Sequence, residues 1–307
     1  MSNYTNINTS IIIVTYNCAD VIEESILSCL NSNDTETIVV DNASTDKTRD
    51  IITNFSDKHL IFIPNETNKG FTQACNQGIK AAKGKYIMLL NPDAILQPET
   101  IPTLFNFIEN RPNVGAVAPA LYFPNGTFQN YTRRFPTICG LWVESFIPRY
   151  LWNNFSCYRK YTCQDLDFSK TQEVEQPAGA ALFFRNNWFL DENYFIYGSD
   201  VDLCKTIIGE GYQIMQVTNS KVIHHQSKGG TEKSQLRLFL DLDNYYGMYY
   251  FFNKHKSHVT AYFYRFVFGM SLFIRSVLAL LKPHSFPMRW KKFVLFVKNK
   301  NFTAIYE

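Results

Sequence analysis

The sequence lacks the cysteine pattern of a disulfide scaffold and the leader of a secreted protein. Its 307 residues include seven cysteines, an odd number, and none belongs to a CxxC pair. Cysteines scattered in this way are typical of buried, reduced thiols in the cytosol. The amino-terminal segment MSNYTNINTS is polar and has no basic stretch followed by an apolar one, so it does not resemble a secretory signal. We therefore expect a cytoplasmic protein with reduced cysteines.

The sequence also lacks a large net charge. Thirty Lys and Arg against 27 Asp and Glu give +3, which argues against nucleic acid as a partner. The distribution is uneven, because ten basic residues and one acid follow Asp243; this +9 leaves −6 for residues 1–243. A basic tail on an acidic body indicates an anionic partner for the tail.

Low-complexity segments and internal repeats are absent, and 46% hydrophobic content excludes a disordered chain. Short apolar runs at 10–16, 37–41, 60–65 and 86–90 alternate with helix-like stretches at 20–30, 47–55 and 71–83. Apolar strands without alternation are typical of a parallel sheet covered on both faces. We predict an α/β fold with an open, mostly parallel twisted sheet and helices on both faces.

The second half of the chain is less regular. Residues 98–110 are helix-like and 115–122 strand-like, whereas 127–173 is aromatic without a clear period. Regularity returns at 178–185, 201–210 and 213–224. We predict one domain over residues 1–230 and a separate, basic, helical segment over residues 231–307.

An apolar stretch in this last segment, YFYRFVFGMSLFIRSVLALL at 262–281, is long enough to span a membrane but holds Arg265 and Arg275. On a helical wheel most of its apolar residues share one face and both arginines lie away from it, which predicts an amphipathic helix. Followed by the basic MRWKKFVLFVKNK, it favours a helix lying on the cytoplasmic membrane surface, with anionic headgroups neutralising the charges. The alternative is a helix packed against the main domain or against a partner subunit, as in a homodimer.

Polar clusters follow the predicted strands at the edge where open α/β sheets bind ligands. They are Thr15-Tyr16-Asn17, Asp41-Asn42-Ala43-Ser44, Asn68-Lys69-Gly70 and Asn91-Pro92-Asp93. Each residue type is also common in turns and helix caps, but four clusters at one edge favour a ligand site. The chain has neither a P-loop nor a GxGxxG sequence, so a divalent cation on Asp93 is the expected means of neutralising a diphosphate.

The chain resembles the family 2 glycosyltransferases, nucleotide-sugar enzymes of the GT-A fold, through the order SIIIVTYN, IVVDNASTD, NKGF, YIMLLNPDA, PAGAALFFR, FIYGSDVDLC and VIHH. The resemblance runs from residue 10 to 225. Within this family, the chain is most similar to the bacterial rhamnosyltransferase-like branch, which builds cell-surface polysaccharides such as O-antigen.

The resemblance implies a role for each motif. A nucleotide pocket is implied at Thr15, Tyr16, Asn17, Asp41, Asn42, Ser44, Lys69, Gly70 and Asn91. The metal motif is implied at Asn91-Pro92-Asp93, with Asp93 as a ligand of Mg²⁺ or Mn²⁺ and with His224, or else His225, as the second ligand. The alternative for the histidines is a polar cap at a strand end.

The general base is implied at Asp200, where Ser199 stands in place of the usual acidic residue; Asp202, two residues on, faces elsewhere on a helix. Contacts to the acceptor or the diphosphate are implied at Arg133, Arg134, Gly179 and Ala180, although the two arginines would also suit a solvated loop.

Together these expectations describe an inverting, metal-dependent transfer of a sugar to a glycan on a polyprenyl diphosphate at the inner face of the cytoplasmic membrane. The branch implies dTDP-L-rhamnose as donor, with UDP-hexoses and UDP-N-acetylhexosamines left open. A non-catalytic glycan-binding scaffold and a nicotinamide-dependent oxidoreductase are the alternatives, and the missing glycine fingerprint argues against the latter.

Overall fold

A computed structural model describes residues 7–32, 34–226, 234–281 and 286–298. The predicted boundary between residues 230 and 231, and the basic residues Lys282 and Lys300 of the tail, lie outside these ranges. The contacts divide the chain into two compact units. Unit 1 comprises Met1–Phe135, Leu166–Phe195 and Ser199–Thr231, and unit 2 comprises Pro136–Asp165, Ile196–Gly198 and Glu232–Glu307.

Among its described residues, unit 1 contains nine strands in one sheet. They are β1 (Thr9–Thr15), β2 (Thr35–Asp41), β3 (Leu60–Pro64), β4 (Tyr86–Leu90), β5 (Ala94–Leu96), β6 (Val114–Tyr122), β7 (Gln172–Glu173), β8 (Ala181–Arg185) and β9 (Gln213–His224). The order is β3-β2-β1-β4-β8-β6-β9-β5, with β7 also paired to β9. The first four strands in this order are parallel, whereas β8 is antiparallel to both β4 and β6.

Helices cover both faces of this sheet. They are α1 (Ile22–Leu30), α2 (Thr48–Thr53), α3 (Phe71–Ala81), α4 (Thr100–Glu109) and α7 (Ser199–Gly209). Alternate residues of β1 pack into two different cores, since Ile11 and Ile13 contact the cluster that includes α1 and α4 while Ile12 and Val14 join α3 and α7. Two-sided burial explains why the strands are apolar without alternation. The predicted α/β class is confirmed.

Unit 2 is helical. It contains α5 (Ile138–Phe146), a 3₁₀ turn (Arg149–Asn154), α6 (Ser156–Tyr161), α8 (Ser234–His255), α9 (His258–Leu278), a second 3₁₀ turn (Ala279–Leu281) and α10 (Phe286–Lys298). The sequence grouping assigned residues 136–165 to the first domain. In the structure they belong to unit 2 because the hydroxyl of Ser271 in α9 and the guanidinium of Arg275 both donate to the carbonyl of Ser145.

The expectation that all cysteines are reduced is wrong for two of them. Cys139 of α5 and Cys157 of α6 form a disulfide, since the two helices bring their Cα atoms to 6.2 Å. A separation of 18 residues in an irregular stretch gave no signal for this pairing. The other five, Cys18, Cys29, Cys75, Cys163 and Cys204, are buried and are not in a disulfide, as expected.

Candidate active site

The first two polar clusters meet at the ends of β1 and β2, where the strand register pairs Thr15 with Asp41. Asp41 is fully buried and its carboxylate accepts from the hydroxyls of Thr15 and Ser44 and from the Ser44 N–H. Arg49 Nε also lies 2.6 Å from Asp41 Oδ2. Both oxygens of this carboxylate therefore have protein donors, and the cluster is a rigid corner of the sheet edge.

The loop after β1 is fixed by the same kind of bonding. Asn17 adopts a positive φ of 54°, and its side-chain oxygen accepts from the Thr45 and Asp46 N–H groups. Its own N–H donates to the Ser44 hydroxyl. Tyr16 is left with 39% of its surface exposed, so its ring is available to a ligand while its neighbours are held.

The third cluster is joined to the second through Asn42. The Asn42 amide donates to the Asn68 side chain and to the Gly70 carbonyl and accepts from the Lys69 N–H. Gly70 precedes α3 with a φ of +82°, and a Cβ there would lie 2.5 Å from the ring of Phe195. Glycine is therefore required at this position by both backbone conformation and space.

The fourth cluster holds Asp93 opposite His224. Strand β5 pairs with β9 so that Ala94 lies across from His224, and the His225 N–H donates to the Asp93 carbonyl. In this register His224 Nε2 lies 3.3 Å from Asp93 Oδ1, and both side chains are about nine-tenths buried. His225 instead faces Glu24 at 3.7 Å, so the histidine that meets Asp93 is His224.

The electrostatics of this pair follow from its burial. Burial alone would raise the pKa of Asp93, but the hydrogen bond and charge of His224, the residue's own N–H and the charge of His225 together lower it below its ordinary value. Burial, opposed by a hydrogen bond with the Tyr16 backbone, raises the pKa of the Cys18 thiol to about 11, and Asp93, Asp46 and Asp41 add to that rise. Cys18 thus lies within the field of both carboxylate clusters.

The donor set of the pair fits a divalent cation. A carboxylate oxygen is an ordinary ligand of both Mg²⁺ and Mn²⁺, whereas an imidazole nitrogen suits a transition-metal ion such as Mn²⁺ better than Mg²⁺. Two ligands about 2.1 Å from an octahedral ion, at right angles, lie about 3 Å apart, close to the 3.3 Å separation here. No group of three or more His, Cys, Asp or Glu side chains is arranged for a metal within the described ranges. An ion here would have two protein ligands and would need further oxygens from its substrate or from water.

The implied base is connected to this pair through the backbone. The Asn91 N–H donates to the Ala180 carbonyl, which places the end of β4 beside the PAGA turn before β8. A Cβ on Gly179 would lie 2.3 Å from Asp200 Oδ2, so the Asp200 carboxylate lies directly against this glycine. The turn that contains Gly179 and Ala180 therefore contacts both the end of β4 and Asp200.

Asp200 and Asp202 have different surroundings at the start of α7. Burial raises the pKa of Asp200, and hydrogen bonds from the Val201 N–H and from its own N–H only partly oppose the rise. Asp202 is buried on another side of the helix, where Oδ1 lies 3.3 Å from the Tyr194 hydroxyl. A raised pKa beside a glycine turn is the property expected of a carboxylate that accepts a proton.

The double arginine is placed differently from the other predicted residues. The Arg133 guanidinium donates to the carbonyls of Asn130 and Thr132 in its own loop, and its backbone pairs with Gln176. This pairing leads directly into the PAGA turn, so the structure ties Arg133 to the wall of the site through the backbone. A role for Arg133 and Arg134 in binding phosphate stays a prediction.

Two residues of the site were missed in the sequence. Arg49 neutralises Asp41 from α2, and Gln129 bonds to both the ring and the carbonyl of His224. Gln129 falls in the stretch without a period, and Arg49 lies on a short helix, so neither carried a signal. Both are brought to the site only by the folding of distant segments.

Comparison with known proteins identifies the class. The chain belongs to the family described as Glycosyl transferase family 2, which matches residues 10–173. Its fold is similar to residues 1–349 of TarS from S. aureus, with a TM-score of 0.53 at 17% identity over 95% of this chain and 81% of that one. It is also similar to the mannosyltransferase PcManGT from Pyrobaculum calidifontis, in complex with GDP-Man and Mn²⁺, with a TM-score of 0.55 at 16% identity over 97% and 88% of the chains. The protein is a glycosyltransferase of the GT-A fold.

Two curated relatives illustrate the sequence similarity. The N-acetylglucosaminyl-diphospho-decaprenol L-rhamnosyltransferase of Mycobacterium tuberculosis is 25% identical over 71% of this chain and 76% of its own length. The UDP-Glc:alpha-D-GlcNAc-diphosphoundecaprenol beta-1,3-glucosyltransferase WfaP of Escherichia coli is 39% identical over 33% of this chain. That match spans 41% of WfaP, as does the match to an uncharacterised glycosyltransferase of Methanocaldococcus jannaschii. The predicted family is confirmed.

Proposed function

We propose that the protein is an inverting, metal-dependent glycosyltransferase that moves a sugar from a nucleoside diphosphate to a sugar on a polyprenyl diphosphate. The observation that carries this proposal is the pair of carboxylates with opposite environments at one sheet edge. Asp93 is kept ionised opposite His224, whereas Asp200 has a raised pKa beside Gly179. The first suits a cation-bound diphosphate and the second suits a proton acceptor.

The chain's own residues account for the steps on the protein side. Asp93 and His224 would hold Mg²⁺ or Mn²⁺, which supplies positive charge to the departing diphosphate when bound. Asp200 accepts the proton of the acceptor hydroxyl, and that oxygen attacks the anomeric carbon from the side opposite the leaving group. The nucleoside part is assigned to Tyr16, Asn17, Lys69 and the corner formed by Thr15, Asp41, Asn42 and Ser44.

The names of two relatives support the proposed acceptor and the choice of donors to test. The names of the Mycobacterium tuberculosis and Escherichia coli proteins describe transfer to N-acetylglucosamine on a polyprenyl diphosphate, from rhamnosyl and UDP-glucosyl donors respectively. We assign this acceptor class to the chain, with dTDP-L-rhamnose as the first donor to test and UDP-sugars as the second. The product would enter bacterial surface polysaccharide such as O-antigen.

The membrane surface is proposed for unit 2. Within the described ranges α9 is the helix long and apolar enough to cross a membrane, by length and composition alone. Its exposed side carries Tyr262, Phe263, Phe266, Met270, Phe273, Ile274, Val277 and Leu278. Exposed Lys254, Lys256, Arg289, Lys291 and Lys298 lie on the same unit. Apolar side chains with basic neighbours fit a helix lying at an anionic leaflet.

The arginines of α9 do not act as the sequence predicted. Arg275 donates to the carbonyls of Glu144 and Ser145, and Arg265 lies over the rings of Tyr246, Tyr249 and Phe296. They are therefore bound within unit 2, and the headgroup contacts are assigned to the exposed basic residues instead.

The metal assignment is tested with Asp93→Ala and Asp50→Ala, the latter an exposed carboxylate on α2. Transfer from dTDP-L-rhamnose and UDP-glucose to N-acetylglucosaminyl-diphospho-polyprenol is followed by mass spectrometry with Mn²⁺. Asp93→Ala should lose at least about 100-fold in rate because its loss leaves one protein ligand, while Asp50→Ala should match the unmodified enzyme. Full turnover by the unmodified enzyme after chelator treatment would contradict the assignment.

A further inference from the structure

The Gln129 side chain makes two bonds to a single residue. Its Nε2 donates to the His224 carbonyl at 2.6 Å, and its Oε1 lies 2.9 Å from His224 Nδ1. An amide nitrogen only donates and an amide oxygen only accepts, so the first bond fixes which end of the amide faces the ring. Because Oε1 faces the ring, Nδ1 must carry the hydrogen.

This arrangement determines what His224 presents to Asp93. With the hydrogen on Nδ1, a neutral imidazole has its lone pair on Nε2, which lies 3.3 Å from Asp93 Oδ1. Two lone pairs at this distance repel each other unless a positive charge lies between them, which is either the second proton of a charged imidazole or a cation that takes the place of that proton. With the opposite tautomer the ring would instead donate to Asp93 and would have no lone pair there for a cation.

We propose that Gln129 is a positioning residue that keeps the Nε2 lone pair of His224 available to a divalent cation. This inference rests on the proposed function, since it concerns the same metal pair. Histidine ligands commonly donate their other ring N–H to an oxygen, and loss of that oxygen typically costs 10–100-fold in metal affinity.

Gln129 is held in place by the fold. The chain reverses at Phe123–Thr127 after β6, where the Phe123 N–H donates to the Thr127 carbonyl. The Gln129 N–H then donates to the Leu121 carbonyl at 2.8 Å. The residue is 3% exposed, so its amide cannot rotate freely to release the ring. β9 is fixed independently by its register with β5.

The inference is tested with Gln129→Met, which keeps length and removes polarity, and with Gln129→Glu, which keeps an oxygen for Nδ1–H. Thr132→Val is the matched control, since it removes a buried hydrogen bond to Gln216 in the same segment without contacting His224. Mn²⁺ affinity is measured by electron paramagnetic resonance with full-length protein in the presence of UDP and of dTDP. We expect Gln129→Met to bind Mn²⁺ 10–100-fold more weakly, Gln129→Glu to restore binding to within a few-fold, and Thr132→Val to bind normally even if it melts at a lower temperature.

A second measurement separates the two levels of the proposal. In metal-free protein, ¹⁵N NMR of the imidazole, assigned with His224→Gln, should show the Nδ1–H tautomer in the unmodified chain and a mixture in Gln129→Met. An Nε2–H tautomer in the unmodified chain, or unchanged Mn²⁺ affinity in Gln129→Met, overturns the role of Gln129 alone. The Nδ1–H tautomer without Mn²⁺ binding by the unmodified chain overturns the metal assignment of the proposed function and this role with it.

Discussion

At the scale of single residues, the proposed general base Asp200 is the residue whose substitution distinguishes an enzyme from a binding scaffold. Its pKa is raised by burial, and its carboxylate lies directly against Gly179. Asp202, two positions on, is buried against the Tyr194 hydroxyl instead. Ser199 in place of the usual acidic residue therefore leaves one carboxylate at the base position.

Asp200→Asn should lower the transfer rate by about 10²–10⁴-fold, since it keeps shape and removes the proton acceptor. The folded state binds this proton more tightly than the unfolded state, so the ionised group costs stability at neutral pH and the variant should melt no lower than the parent. The transfer rate of the unmodified enzyme should fall as the pH is lowered through the pKa of Asp200, which lies above the ordinary value of about 4. A pH profile of transfer and a melting curve test both statements.

Asp202→Asn is the comparison variant for Asp200→Asn. It should affect transfer much less, because its carboxylate faces Tyr194. If only Asp202→Asn lost activity, Asp202 and not Asp200 would be assigned as the base, and the proposed inverting reaction would be unchanged.

Gly179→Ala should reduce transfer by at least about tenfold, because the new methyl group would lie 2.3 Å from Asp200 Oδ2 and must displace it. Gly209→Ala, at the end of α7, has no atom within 4 Å of its new Cβ and serves as control. The control should keep full activity and equal or higher stability. Steady-state kinetics on both variants test the contact, and equal activity in the two would refute the role given to Gly179.

At the scale of elements, α9 has two different sides. One packs within unit 2 through Ala261, Tyr264, Ser271, Leu272 and Ser276, and the other exposes aromatic and aliphatic side chains. Serines are placed among the packed residues because each hydroxyl finds a carbonyl, that of Ser145 for Ser271 and that of Leu272 for Ser276. The more apolar side of α9 is therefore the exposed one, and it is available to contact a membrane or a partner.

The double variant Phe266→Glu and Phe273→Glu should reduce partition onto vesicles of mixed anionic and neutral phospholipid by at least about tenfold. Immersing a phenylalanine side chain is worth roughly 1.5–3 kcal/mol, and that gain is lost at two positions. Leu27→Glu on α1 places the same charge at another exposed apolar residue and should bind like the parent. Co-sedimentation tests this, and unchanged binding of the double variant would favour packing against a partner subunit.

At the scale of the whole molecule, the residues proposed to bind the donor and the metal and to act as the base lie in unit 1, whereas the basic helices lie in unit 2. The charge is divided in a similar way, with −6 up to Asp243 and +9 after it. An acidic body thus carries the proposed site, and the basic segment has the charge that the proposed binding to anionic surfaces requires.

A donor nucleotide should raise the melting temperature of the protein only when Mn²⁺ or Mg²⁺ is present. The reason is that Asp93, His224 and the diphosphate would all supply ligands to the same ion. A ligand at 100 times its dissociation constant stabilises the folded state by about 2.7 kcal/mol. Thermal-shift measurements with UDP-, dTDP- and GDP-sugars should show the largest shift with dTDP or UDP. A shift independent of metal would contradict the role of Asp93 and His224, and a largest shift with GDP would contradict the donor assignment.

The sequence alone determined the elements whose signals are local. Strand β4 was predicted at its observed bounds, because an apolar run between turn residues needs no distant partner to be recognised. Family membership was also fixed by the sequence, since the motifs occur in order at strand ends. The predicted site residues of the nucleotide corner and of the metal pair are brought together as their strand positions required.

Only the tertiary structure decided the partners that come from far along the chain. Gln129 reaches His224 across 95 residues, and Cys139 meets Cys157 through the packing of two helices in a stretch without a period. The arginines of α9 turn to carbonyls and rings of unit 2, because a nearby protein acceptor is available on that side of the helix. Periodicity shows which face of an element is apolar. It does not show what that face meets, since the meeting depends on how distant segments fold together.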